Sequence, residues 1–157
     1  MAEIDWTTWD SMDVQDGTWL PETQIELIRP SNARSARAVL FDFDGTLSLI
    51  RSGWVDVMVP MMVEILEELD TGEDPADIEH LVRQVVERLT GKQTIYQMIE
   101  LANQVQTRGG TPRDPLEYKN MYLDRLWDRI KERVHGLEQG RTAAEEMLVP
   151  GSMALLA

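Results

Sequence analysis

The sequence predicts an α/β protein in which one buried strand is followed by a mostly helical chain. Three observations predict it. The apolar run Ala38-Val39-Leu40-Phe41 stops abruptly at Asp42-Phe43-Asp44-Gly45-Thr46-Leu47; four amphipathic stripes follow between about residues 55 and 147; and Pro150-Gly151 then opens a short apolar tail. Consecutive apolar residues with a β-branched member suit a strand covered on both faces. Repeats at three and four residues suit helices that bury one side.

The amino-terminal segment, residues 1–33, mixes Trp6, Trp9 and Trp19 with many acids and shows little helical periodicity. A partner site and packing onto the rest of the chain are both open for the tryptophans, and packing is the commoner outcome for large apolar side chains. Gln24-Ile25-Glu26-Leu27-Ile28 alternates well enough for an edge strand ending at Pro30, and Pro30-Ser31-Asn32 reads as a turn. The main strand, residues 38–41, comes next. Gly45 permits the sharp turn away from it. Asp42 and Asp44 are two apart, so an extended backbone sends both side chains to one side and Phe43 to the other. In open α/β sheets ligands bind just beyond the carboxyl ends of strands, so paired acids there point to a metal and phosphate chemistry. A plain polar turn is the alternative, since Asp and Gly are common turn formers. An EF-hand calcium loop is excluded by the ligand spacing and by the missing closing glutamate.

Beyond the acids the chain reads as helices. The first carries Met58, Met61, Met62, Ile65, Leu66 and Leu69 at three-and-four spacing, with Pro60 near its first turn or kinking it. Asp74 and Pro75 open a second, through Ile78, Leu81, Val82, Val85, Val86 and Leu89, and Gly91 ends it. A third spans about Thr94 to Thr107 through Ile95, Met98, Ile99, Ala102 and Val105, and stops at Arg108-Gly109-Gly110-Thr111-Pro112. Asp114-Pro115-Leu116-Glu117 starts the fourth with a cap, a first-turn proline and a capping-box glutamate, and its stripe is Leu123, Trp127, Ile130, Val134 and Leu137. Four such helices can bury their stripes as a bundle.

The ten residues from Ala38 to Leu47 resemble the first signature motif of the haloacid dehalogenase (HAD) superfamily, a hydrophobic strand followed by Asp-x-Asp-Gly-Thr. The resemblance implies a Rossmannoid core, of which the chain carries the first strand region in residues 34–53, a helical cap inserted in residues 54–147, and a return to the core in residues 148–157. It implies that Asp42 attacks phosphorus to form an aspartyl-phosphate and that Asp44 protonates the leaving oxygen and later activates water. It further implies Mg²⁺ held by the Asp42 carboxylate and the Asp44 backbone carbonyl, with Thr46 among the substrate-binding residues. Both roles make chemical sense, because a carboxylate nucleophile splits one hard displacement into two easier ones and a placed acid lowers each barrier. Relatives that act on carbon–halogen bonds or phosphonates lack the second aspartate, so Asp44 implies a phosphatase acting on phosphorylated small molecules. A sugar-phosphate mutase shares both acids and stays open. A non-catalytic helical binding module is the alternative of a different class.

In HAD enzymes of this layout the cap selects the substrate. Arg51 lies where the chain passes the catalytic mouth, and it reads equally as a grip on phosphate or carboxylate and as a solvated arginine. Gly91-Lys92-Gln93-Thr94 offers one cation between two helices, although as a connector it needs no ligand. It is not a P-loop, which requires glycine where Val86 stands and Ser or Thr where Gln93 stands. Arg108 and Arg113 are further possibilities. The family's later Ser or Thr motif, its Lys or Arg and its final acidic metal ligands are not found in these residues. Their absence implies the amino-terminal part of such an enzyme, truncated and, when isolated, inactive or marginally stable, because those groups supply much of the stabilisation of the transferring phosphoryl.

Composition sets the frame. The chain has 157 residues, 43% hydrophobic and 27% charged, enough for one modest core. With no cysteine there is no disulfide, thiolate or sulfur-ligated zinc, and His80 and His135 read as ordinary helix residues. A net charge of -13 disfavours nucleic-acid and anionic-membrane partners and leaves phosphate binding to local cations or Mg²⁺. The first residues lack a basic start and a long apolar run, so a cytoplasmic location is expected.

Overall fold

The computed structural model describes residues 37–156 together with the dipeptides Thr18–Trp19 and Glu26–Leu27. Trp6, Trp9 and the turn expected at residues 30–32 lie outside the described residues. The described residues belong to two units divided between Leu40 and Phe41. In the first unit, β1 (Thr18–Trp19) pairs antiparallel with β2 (Glu26–Leu27), Thr18 opposite Leu27 and Trp19 opposite Glu26. The expected strand at residues 24–28 is thus realised at its centre.

The second unit is helical. It contains α1 (Val55–Glu67), α2 (Pro75–Leu89), α3 (Thr94–Thr107), α4 (Pro115–Glu138), a single 3₁₀ turn (Ala144–Met147) and α5 (Ser152–Leu156). Local chemistry fixes the starts. The Asp74 carboxylate accepts from Ala76 N at 2.9 Å and that of Asp114 from Leu116 N at 2.7 Å, with Pro75 and Pro115 filling first helical positions that have no N–H to satisfy. Gly91 ends the turn after α2 at φ +85°, a backbone that glycine adopts without steric cost. Pro60 lies inside α1 rather than at its first turn, on the exposed side, where its ring costs one backbone hydrogen bond without disturbing the packed face.

The core lies between the four long helices. Met58, Met61, Met62 and Leu66 from α1, Val82 and Val86 from α2, Met98, Leu101 and Val105 from α3, and Tyr118, Tyr122, Leu126 and Ile130 from α4 are all buried. The methionines fill the centre of the bundle, as expected for flexible side chains in irregular gaps. Gly110 is a close-approach position. A Cβ there would lie 2.7 Å from Leu69 Cδ2 and 2.9 Å from Val105 Cγ1, so the chain can pass this point only without a side chain.

Several expectations are corrected. Residues 38–41 form no strand, and an α/β core is not seen. Val39 and Leu40 are 69% and 98% exposed. A strand needs neighbours to satisfy its backbone, and among the described residues none pairs with this one. In α4 the most buried face is Tyr118, Tyr122, Leu126 and Ile130; of the expected stripe Ile130 lies in the core and Leu123 and Val134 pack half-buried against it, whereas Trp127 is 46% exposed. In α3 Leu101 and Gln97 are buried where Ile99, in the expected stripe, is exposed. Arg108 is a structural clamp rather than a candidate ligand group. Its guanidinium donates to both Glu73 carboxylate oxygens at 2.7 and 2.8 Å and holds that carboxyl below its usual pKa.

Candidate functional site

The acidic motif folds into a tight loop rather than a strand end. Phe43 O accepts from Leu47 N at 3.0 Å and from Ser48 N at 2.9 Å, and Gly45 N donates to Ser48 O at 2.8 Å. Gly45 sits at φ +78°, the left-handed conformation that this reversal requires and that glycine adopts freely. The loop then meets the far end of the helical unit. Leu49 N donates to Met147 O at 2.8 Å and Val149 N to Leu47 O at 3.0 Å, so Ser48 and Leu148 face each other in an antiparallel bridge. The way into the helical unit and the way out of it are therefore neighbours.

Asp42 and Asp44 border a cleft of ≈ 320 Å³ that is also lined by Arg51, Trp54, Lys92, Gln97 and Tyr122. Four residues singled out from sequence thus share one cleft: Asp42, Asp44 and Arg51 from one short segment, and Lys92 from some forty positions later. Thr46 does not line it and is exposed. Arg113 lines a different hollow, near Glu64 and Tyr118. His80 is exposed beside Gln84, and His135 packs edge-on against Trp127 at 6.0 Å, in keeping with ordinary helix residues.

Arg51 Nη1 lies 3.0 Å from Asp44 Oδ2, with each side chain nearly half exposed. Such a pair adds little stability in water, and its partners exchange readily. What fixes Arg51 in space is Arg133 on α4. Its Nη1 donates to the carbonyls of Ile50 and Ser52, both at 2.8 Å, and so pins the backbone on either side of Arg51. Sequence reasoning misses Arg133, because an arginine on a helix carries no sign that it caps a loop some eighty positions earlier. It also misses Gln97 and Tyr122. Gln97 has a readable signal: at four-residue spacing it is in phase with Leu101 and Val105, a polar group on a buried stripe.

Tyr122 is 4% exposed. Burial pushes its phenol up to about 12, with the Arg51 charge opposing the rise and the Asp44 charge adding to it. The neutral form is therefore the one the fold favours. Stability from this group is complete below the phenol's ordinary value of 10.0 and falls as pH rises from there through about 12. An alkaline titration followed by phenolate absorbance is expected to show one late-ionising phenol that is missing in Tyr122→Phe. If Tyr122→Phe leaves the late step in place, the assignment fails.

Among the described residues no group of three or more His, Asp or Glu side chains gathers to hold a metal, and no helix is long and apolar enough to cross a membrane. No protein-family model, curated protein or solved structure matches the chain.

Proposed function

We propose that this chain carries the nucleophile and the general acid of a cytoplasmic, Mg²⁺-dependent HAD-type phosphatase that hydrolyses phosphate monoesters of small molecules. The observation that carries the reading is the joining of Asp42 and Asp44 in one cleft with two cations, Arg51 and Lys92, in a chain whose net charge is -13. An overall acidic surface repels a phosphate ester, so local positive charge beside the acids is what such a substrate requires.

The chemistry assigns each group an action. An Asp42 oxygen forms a bond to phosphorus as the bond from phosphorus to the ester oxygen breaks, and Asp44 gives that oxygen a proton. Water then attacks the phosphorus of the aspartyl-phosphate, Asp44 takes a proton from it, and the Asp42 carboxylate is regenerated with release of phosphate. Arg51 faces Asp44 at 3.0 Å. An arriving phosphate competes for the guanidinium, and the exchange frees Asp44 to turn to the leaving oxygen. The donor set fits Mg²⁺ in part: the metal is commonly held by one or two carboxylates, waters and the substrate's own phosphate oxygens, and Asp42 with the Asp44 carbonyl offers the protein share of such a shell. When bound it would neutralise charge between the nucleophile and the phosphoryl oxygens.

The test supplies the groups that stabilise the phosphoryl and are not found in this sequence. The chain is fused in frame ahead of the remaining strands of a HAD core and offered a panel of phosphate monoesters. Mg²⁺-dependent phosphate release that disappears in Asp42→Asn is the expected result. A folded fusion that hydrolyses none of the panel, or whose Asp42→Asn form is as active, defeats the reading.

A further inference from the structure

The inner wall of the cleft carries polar chemistry that phosphoryl transfer does not use. Gln97 is 3% exposed and Tyr122 4%, and both line the cleft. Neither side chain makes a hydrogen bond among the described residues, yet neither is sealed off: the one buried side-chain polar atom without a partner there is Ser152 Oγ. Gln97 and Tyr122 thus border the cleft with no side-chain hydrogen-bond partner among the described residues. Buried polar groups in native structures are nearly always satisfied, so two of them that line one cavity with no partner among the described residues mark a place where a ligand can supply the partners.

Charge narrows what that is. The groups that face inward are neutral: Gln97, Tyr122 and the apolar surfaces of Trp54 and Met58. The cations Arg51 and Lys92 are exposed, and Arg51 already faces Asp44. Burial also keeps Tyr122 in its neutral form. A carboxylate reaching past the phosphate would be buried near Asp44 with no cation on the inner wall, and an alkyl chain would leave both polar groups unpaired. A hydroxyl gives each of them a donor and an acceptor.

Resting on the phosphate-ester reading of Asp42 and Asp44, we propose that Gln97 and Tyr122 are specificity residues that hydrogen-bond the hydroxyls of the alcohol part, so that the cleft takes the phosphate ester of a small sugar or polyol. The ≈ 320 Å³ cleft is at the small end of small-molecule sites, which suits such a ligand.

The experiment is calorimetric titration of the full chain, with Mg²⁺, against glucose 6-phosphate, phosphoglycolate, n-propyl phosphate, inorganic phosphate and free glucose. Glucose 6-phosphate is expected to bind at least about fivefold more tightly than phosphoglycolate or propyl phosphate, as hydrogen bonds of ordinary net strength allow. Gln97→Met and Tyr122→Phe, both close in shape to the originals, are each expected to weaken glucose 6-phosphate about three- to tenfold and to leave inorganic phosphate unchanged. Folding of both variants is checked by circular dichroism, and either one suffices as a test. Equal binding of propyl phosphate or phosphoglycolate, or folded variants that bind glucose 6-phosphate like the parent, overturns the proposal while the phosphatase reading stands. Free glucose binding as tightly as its phosphate overturns the phosphatase reading and keeps the two hydroxyl contacts. No binding of any of the five overturns both.

Discussion

Replacing Asp44 by asparagine in the fused enzyme is expected to slow hydrolysis of an alkyl phosphate by about 10² to 10⁴, the usual contribution of a positioned acid or base. The loss should depend on the leaving group. An alkoxide leaves poorly without a proton, whereas p-nitrophenolate is stable as it departs, so p-nitrophenyl phosphate should lose far less in the first step. Carboxamide and carboxylate have the same shape, and Asp44→Asn would keep the loop and its Gly45-to-Ser48 hydrogen bond of 2.8 Å. Steady-state and burst kinetics on the two esters make the comparison. Equal losses on both in the burst phase, which reports the first step alone, would mean that Asp44 acts there by binding rather than by proton transfer, and no loss in either phase would remove it from the mechanism.

The second large effect is on stability and is independent of any enzymology. Leu66 is 0% exposed, on the buried face of α1. Leu66→Ala is expected to destabilise the helical unit by about 2–5 kcal/mol, the range for removing buried aliphatic groups where the surroundings close only partly over the gap. The flexible methionines around it favour the lower half, since they can shift into the space. Against a whole-domain stability of roughly 5–15 kcal/mol, this is a large fraction. Urea unfolding followed by circular dichroism measures it. A change below about 1 kcal/mol would mean that the four helices do not share a cooperative core.

The helices are legible where a side chain speaks to its own backbone. The Asp-Pro pairs at residues 74–75 and 114–115 announce their helices because cap and first-turn geometry are decided within a few residues, and α2 and α4 begin where those signals put them. Phase is harder. Tyr118 and Tyr122 carry hydroxyls and stand outside a purely apolar stripe, and a stripe drawn through Leu123 and Trp127 instead turns the helix by about 100° per residue of error. The apolar run at residues 38–41 fails as a strand for a different reason: a strand is a property of pairing, and among the described residues nothing pairs with this run. At the site, the acids are legible from one motif and the two cations from their nearness to loops. Gln97 is betrayed only by its place on a buried stripe, while Arg133 and Tyr122 matter through the meeting of distant segments, which a single sequence does not display.

The bridge between residues 47–49 and 147–149 gives the helical unit a property of its own. Because Leu49 and Met147, and Val149 and Leu47, are already joined by backbone hydrogen bonds of 2.8 and 3.0 Å, the two ends of the unit meet at strand spacing before anything is attached to them. A host that receives it at a surface turn bears little of the chain-closure entropy that a long insertion otherwise imposes. The unit is in that sense portable: it can be lifted out, its ends linked by a short turn, or transplanted into another scaffold whose own β-hairpin offers the same gap.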